Sequence, residues 1–89
     1  MYVMFDPVKD VANLAKHGVA LSFAEALEWA ESWVWMDVRR DYGEDRQCAL
    51  VPNGQRLYFV AFVDRGEVRR VISLRKANQR EVKIYVDNN

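Results

Sequence analysis

The sequence holds one cysteine, one histidine, two prolines and four glycines in 89 residues, and its Lys and Arg balance its Asp and Glu. A lone Cys48 cannot close an internal disulfide, so a reducing, cytoplasmic setting is expected. One His and one Cys far apart in the chain do not make the usual ligand set of a metal, and neither a metal nor another cofactor is expected. The longest apolar run, Leu57 to Val63, falls far short of the ~20 residues a membrane helix needs. Met1 to Pro7 has neither the basic nor the apolar region of an export signal. The glycines at 18, 43, 54 and 66 stand singly, as cap and turn residues do, and form no phosphate-cradling loop.

The length fits one domain over residues 1–89, in which folding hides somewhat over ~60% of the unfolded surface. Zero net charge argues against a polyanion until the chain is halved. Residues 1–45 carry four Lys or Arg against nine Asp or Glu, and residues 46–89 carry nine against four. The second half is therefore a basic module at +5, and binding to phosphate follows the local field rather than the total.

Local signals divide the chain. Tyr2 to Phe5 is a short β-type segment, and Asp6-Pro7 is a helix start: Asp6 caps first-turn amides and Pro7 lacks the N–H that would be orphaned there. Val8, Val11, Ala12, Leu14 and Ala15 form the apolar stripe of a first helix, stopped by Gly18. Ser22-Phe23-Ala24-Glu25 has capping-box form, and Phe23, Ala26, Leu27, Ala30 and Val34 predict a second helix. Trp29, Trp33 and Trp35 are read as core or interface aromatics rather than base-stacking groups. Val38 to Asp45 is a polar loop. Arg46 to Pro52, Arg56 to Val63 and Val68 to Arg75 are strands separated by Asn53-Gly54 and Asp64-Arg65-Gly66 turns, and Asn78-Gln79-Arg80-Glu81 opens a short last helix. The expected fold is α/β (α+β): two N-terminal helices on one face of an antiparallel sheet of about four strands, then a short C-terminal helix.

The most charged strand is Arg69 to Ala77. Strict alternation sets Arg69, Ser73 and Arg75 on one face and Arg70, Ile72 and Leu74 on the other. Arg75 and Lys76 end this strand at the entrance to the last helix, where the Arg fork and the helix amides both suit phosphate. Arg70 serves either phosphate or an acid such as Glu28. His17 is the one side chain that titrates near neutrality, and it is equally an ordinary helix C-cap neighbour, as is Lys16. Glu44 and Arg46 flank the loop as a functional pair or an exposed salt bridge, and Tyr85 either stacks on a ligand or fills the second sheet face.

Taken in order, Phe5-Asp6-Pro7, Lys16-His17-Gly18-Val19 with Phe23 and Glu25-Ala26, Tyr42-Gly43-Glu44 with Arg46, Arg70-Val71-Ile72-Ser73 with Arg75-Lys76-Ala77, and Glu81 with Tyr85 resemble the BrnT family. That family is similar to the RelE-type ribonuclease toxins. Phe5 stands where the family more often has Trp, and Leu74 where a small residue is usual. The resemblance implies a metal-independent endoribonuclease that blocks translation, neutralised by a DNA-binding, BrnA-like antitoxin through which alone it meets operator DNA. It further implies catalytic roles for His17, Lys16, Glu44, Arg46 and Arg75, and RNA contacts for Arg69, Arg70, Ser73, Lys76 and Tyr85. The other reading is a non-catalytic protein that binds the antitoxin and serves as co-repressor.

Overall fold

A computed structural model of the chain describes residues 1–39, 41 and 43–88, so Arg40 and Tyr42 of the expected loop lie outside the described residues. The fold is mixed α+β around one five-stranded sheet. Strands β1 (Tyr2–Met4), β2 (Trp33–Met36), β3 (Arg46–Asn53), β4 (Arg56–Arg65) and β5 (Val68–Lys76) lie in the order β1-β5-β4-β3-β2. β1 pairs with β5 in parallel and every other neighbour is antiparallel, so the sheet has one strand more than expected and is not purely antiparallel. Helices α1 (Pro7–His17) and α2 (Gln79–Asp87) complete it, with 3₁₀ turns at Leu21–Ala26 and Trp29–Glu31.

Where backbone chemistry is local, the expected signals operate. The Asp6 carboxylate accepts from the Val8 amide at 2.9 Å, and left-handed Gly18 donates to the Leu14 carbonyl at 2.8 Å. Asn78 and Glu81 form a complete capping box, each side chain accepting from the other's amide at 2.8 and 2.9 Å. Left-handed Gly54 turns β3 into β4.

Four expectations are corrected. The second helix is not an α-helix: Leu21, Ala24 and Leu27 are the residues it buries, a spacing of three that matches 3₁₀ winding, and Ser22 makes no cap. Its expected tail is strand instead. Trp33-Val34-Trp35-Met36 is aromatic or bulky throughout and pairs with Gln47 to Leu50, satisfying backbone groups that a frayed helix end would leave open.

The α1 stripe faces water, with Val8 77%, Val11 71% and Leu14 51% exposed, while polar Asn13 is buried. The reason is the free edge of β5 beyond β1. The Asn13 amide donates to the Leu74 and Val19 carbonyls at 2.7 Å each and its oxygen accepts from the Leu74 amide at 3.3 Å, so one side chain pairs with the edge as a peptide group would. Asp10 likewise accepts from the Leu21 amide at 2.6 Å. Docking against a strand edge needs amides and carboxylates inward, and that turns the methyls outward.

The fourth correction concerns β5. Phe62 lies opposite Val71 but its neighbour Ala61 lies opposite Ser73, so Ile72 is an extra residue in a β-bulge. Alternation is interrupted there. Val71 and Leu74, three positions apart, both enter the core cluster with Val60, Phe62, Ala49, Val51, Leu21 and Leu27. Arg69 therefore shares the helix-side face with Val71, and Arg70, Ser73 and Arg75 share the other. Leu74 is fully buried on the helix side, away from Ser73 and Arg75.

Candidate active site

Cross-strand partners share a face, so the pairings map the second side of the sheet. One row runs Arg75, Phe59, Leu50, Trp33; the next Ser73, Ala61, Cys48, Trp35; the third Arg70, Val63, Arg46. The middle row begins with three small side chains. The sheet is therefore lowest there, between Arg75 and Phe59 on one bank and Arg70, Val63 and Arg46 on the other. Three arginines expected at separate places are gathered on one face by pairing alone.

Arg75 is the best defined of them. Its guanidinium carbon sits 4.3 Å from the Phe59 ring centroid, and its two terminal nitrogens donate to the Glu81 carboxylate at 2.8 and 2.9 Å. Glu81 also accepts from the Asn78 amide, so the capping box that starts α2 is the device that aims Arg75. Burial pushes the Glu81 carboxyl up, but the hydrogen bonds from Arg75 and Asn78 and the charges of Arg75 and Arg80 outweigh it. The result lies below the usual carboxylate range. Glu81 is thus an ionised positioning group and a poor proton acceptor.

Beside this pair is a cleft of about 340 Å³ lined by Trp35, Phe59, Cys48, Asp37, Arg39, Arg75, Asn78, Arg80 and Glu81 among others. It brings three arginines against two carboxylates. Asp37 is buried and held by Arg39 through two bonds of 2.9 Å. Burial raises the Cys48 pKa, as do the charge of Asp37 and a hydrogen bond to it, against Arg39 and Arg46, so this residue is an inert thiol at neutral pH. Sequence reasoning missed Trp35, Asp37, Arg39, Arg80 and Glu81 as site residues. The available signal was Glu81, whose place in the capping box fixes it one helical turn from Asn78, just beyond the strand end that carries Arg75.

His17 ends α1 at the β5 edge, close enough to Arg75 to feel its charge. Burial first, then the charges of Lys16 and Arg75, lower its pKa, which leaves a neutral imidazole at neutral pH. Lys76 is on the helix side, where with Tyr58, Phe23 and Gly18 it borders a separate open cavity of about 520 Å³. Arg75 and Lys76 therefore flank the end of β5 on opposite faces, with His17 at its edge.

Other sequence candidates are placed elsewhere. Arg69 donates to Asp64 at 2.7 and 2.8 Å and lies 4.2 and 4.7 Å from the Phe62 and Trp29 centroids, packed among the helix-side residues. Its expected place beside Ser73 and Arg75 is corrected, because the bulge separates them. Glu44 pairs with Arg65 at 2.7 Å, not with Arg46, although both border one shallow cavity with Asp37. The Tyr85 hydroxyl donates to the Glu31 carbonyl at 2.6 Å, fastening α2 to the segment before β2, and burial and the charges of Glu31 and Glu28 raise its pKa. Among the described residues no cluster of three or more His, Cys, Asp or Glu is arranged to hold a metal. No described helix is long and apolar enough to cross a membrane.

Fold and face together define a small α+β domain whose sheet gathers Arg75, Arg70 and Arg46 on the face away from the 3₁₀ turns. A family model described as ribonuclease toxin, BrnT, of type II toxin–antitoxin systems matches residues 5–81, and the chain belongs to that family. Such a toxin has an antitoxin partner. A search of curated proteins returns no match to the chain.

Proposed function

We propose that the chain is an endoribonuclease toxin that cuts single-stranded RNA without a metal, blocks translation and is silenced by a DNA-binding, BrnA-like antitoxin that alone brings it to operator DNA. The observation that carries this is Arg75, held over Phe59 and aimed by Glu81 with Arg70, Arg46 and Ser73 on the same face. In the proposed reaction the 2′-oxygen attacks the adjacent phosphorus and the bond to the 5′-oxygen breaks, leaving a 2′,3′-cyclic phosphate. Arg75, with Arg80 nearby, takes the charge that develops on the non-bridging oxygens. Glu81 keeps the fork oriented until phosphate competes for the same N–H groups.

The base is His17. Its lowered pKa supports this role, because an imidazole that is neutral at pH 7 can take the 2′-hydroxyl proton. The imidazolium so formed returns the proton to the 5′-oxygen, directly or through water. Lys16 and Lys76 add positive charge around the strand end. The metal-free route is supported by the donor set, since each carboxylate in the cleft is bound to an arginine. The antitoxin reading is supported by the α1 stripe Val8, Val11 and Leu14, an apolar surface that this chain alone leaves in water.

The test is cleavage of end-labelled single-stranded RNA by partner-free protein in EDTA. Cutting persists under chelation, yields cyclic phosphate ends, and falls sharply in Arg75→Ala and His17→Ala. Intact RNA at high protein concentration leaves the non-catalytic co-repressor.

A further inference from the structure

The cleft beside Arg75 contains more aromatic surface than phosphate binding needs. Trp33 and Trp35 lie 5.2 Å apart with rings tilted at 40°, Trp35 lies 6.0 Å from Phe59, and Phe59 lies 4.3 Å from the Arg75 guanidinium. The four groups form a continuous ladder from the sheet's outer strand to the arginine. Trp29 donates to the Ala24 carbonyl and packs edge-on to the core Phe62, whereas Trp35, on the sheet-edge strand, is half-buried and borders the cleft beside Arg75. An indole at the lip of a cleft, with Arg39, Arg80 and Asn78 in the same walls, brings an aromatic ring, cations and hydrogen-bonding groups together.

We propose that Trp35 is a stacking platform for one unpaired nucleobase of RNA, next to the nucleotide whose phosphate rests on Arg75. Three features specify the ligand. The cleft, at about 340 Å³, lies at the small end of small-molecule sites and admits one ring system rather than a duplex. Every base has a π face, and stacking of single-stranded bases on aromatics between cationic side chains is how nucleic acid is held without a duplex groove. The ladder sets the Trp35 ring no more than about 10 Å from the Arg75 guanidinium, within reach of adjoining nucleotides of one extended strand.

This subsite rests on the ribonuclease reading, and the experiment separates the two. The probe is a short single-stranded 2′-O-methyl RNA, which binds but lacks the attacking hydroxyl, together with copies that carry one abasic position each. Wild-type protein binds the intact strand and loses roughly ten- to a hundredfold in affinity when one particular base is removed. Trp35→Ala loses a similar factor on the intact strand and little further on that abasic copy; Trp35→Phe retains most of the binding. Equal penalties for the abasic copy in wild type and Trp35→Ala, or unchanged affinity in Trp35→Ala, overturn the subsite. If Trp35→Ala fails to fold, the abasic scan of wild type against Trp35→Phe decides, and no sensitive position in wild type overturns it. Cleavage of ordinary RNA that ignores both changes removes the platform and leaves the ribonuclease. No binding and no cleavage of any RNA removes both.

Discussion

Arg69 and Arg75 lie six positions apart on one strand, and each has an aromatic ring beneath it and a carboxylate taking two of its N–H bonds. Arg69 is 18% exposed over Phe62 and Trp29 against the helix layer, and its ion pair with Asp64 joins the ends of β4 and β5. Arg75 is 31% exposed on the other face, and its carboxylate comes from α2 at the rim of a cleft. The same local chemistry makes one arginine a fastener and the other a candidate site. What separates them is one extra residue, Ile72.

Inserting one alanine into β4 between Ala61 and Phe62, opposite Ile72, is the strongest way to break this contrast. With Ile72 given a partner and alternation imposed across it, Val71 and Leu74 no longer share the core face, and displacement of a buried Leu or Val costs about 2–5 kcal/mol. Urea unfolding is expected to show at least that loss, and a folded insertion variant of native stability would show that the bulge does not set the faces.

The arginines themselves come next. Arg75→Ala is expected to cut RNA about 100-fold more slowly or worse per folded molecule, as loss of a transition-state donor does, and also to lose stability, because the part-buried Glu81 loses its partner. Arg69→Ala is expected to lose about 1–3 kcal/mol of stability, because Asp64 and two ring faces lose their partner, and to cleave as well per folded molecule. Melting curves give the folded fraction of each variant and cleavage rates per folded molecule tell them apart; a slow Arg69→Ala beside a normal Arg75→Ala would reverse the assignment.

Asn13→Ala leaves the edge amide and carbonyl of Leu74 without their partner and is expected to cost about 2–3 kcal/mol. It leaves Arg69 untouched. Since α1 ends in His17, the proposed general base, this variant is also expected to loosen that residue, and kcat should fall by a larger factor than the stability change predicts for the folded fraction.

The smallest effects are in pH. His17 has a folded pKa below its unfolded value of 6.5, so its neutral form is favoured by folding. That contribution is complete above 6.5 and is lost as pH falls through the folded value. Glu81, also depressed, contributes fully above 4.5 and loses its share as pH falls through its own folded value. Cleavage should therefore be flat near pH 7 and fall on the acid side with a midpoint below 6.5, and Lys16→Gln should move that midpoint upward by removing a positive neighbour. A midpoint that ignores Lys16 would exclude His17 as the titrating group.

The caps at Asp6, Gly18 and Asn78 and the turns at Gly54 and Gly66 were legible because each involves only a few neighbouring backbone groups. The side of α1 that packs was not. Periodicity marks where apolar groups lie on a helix, but the β5 edge calls for hydrogen bonds, which Asn13 and Asp10 supply. The strand Trp33–Met36 was hidden for a related reason, since four residues give too short a pattern without knowledge of β3 beside them. Of the site, Arg75 was visible as a phosphate-binding type in a basic half. Trp35, Arg39 and Arg80 were not, because they join it only through pairing and helix docking.

By itself the sequence determined the composition of this protein's chemistry: a +5 second half, one residue titrating near neutrality, guanidinium groups on a strand, and capped ends that say where helices begin and stop. Tertiary structure decided which of those groups meet. A strand's faces depend on register with its neighbour, and an inserted residue reverses everything beyond it. That is why Arg75, Ser73 and Arg70 face Trp35 across one side of the sheet, and Arg69 lies among the helix-side residues on the other.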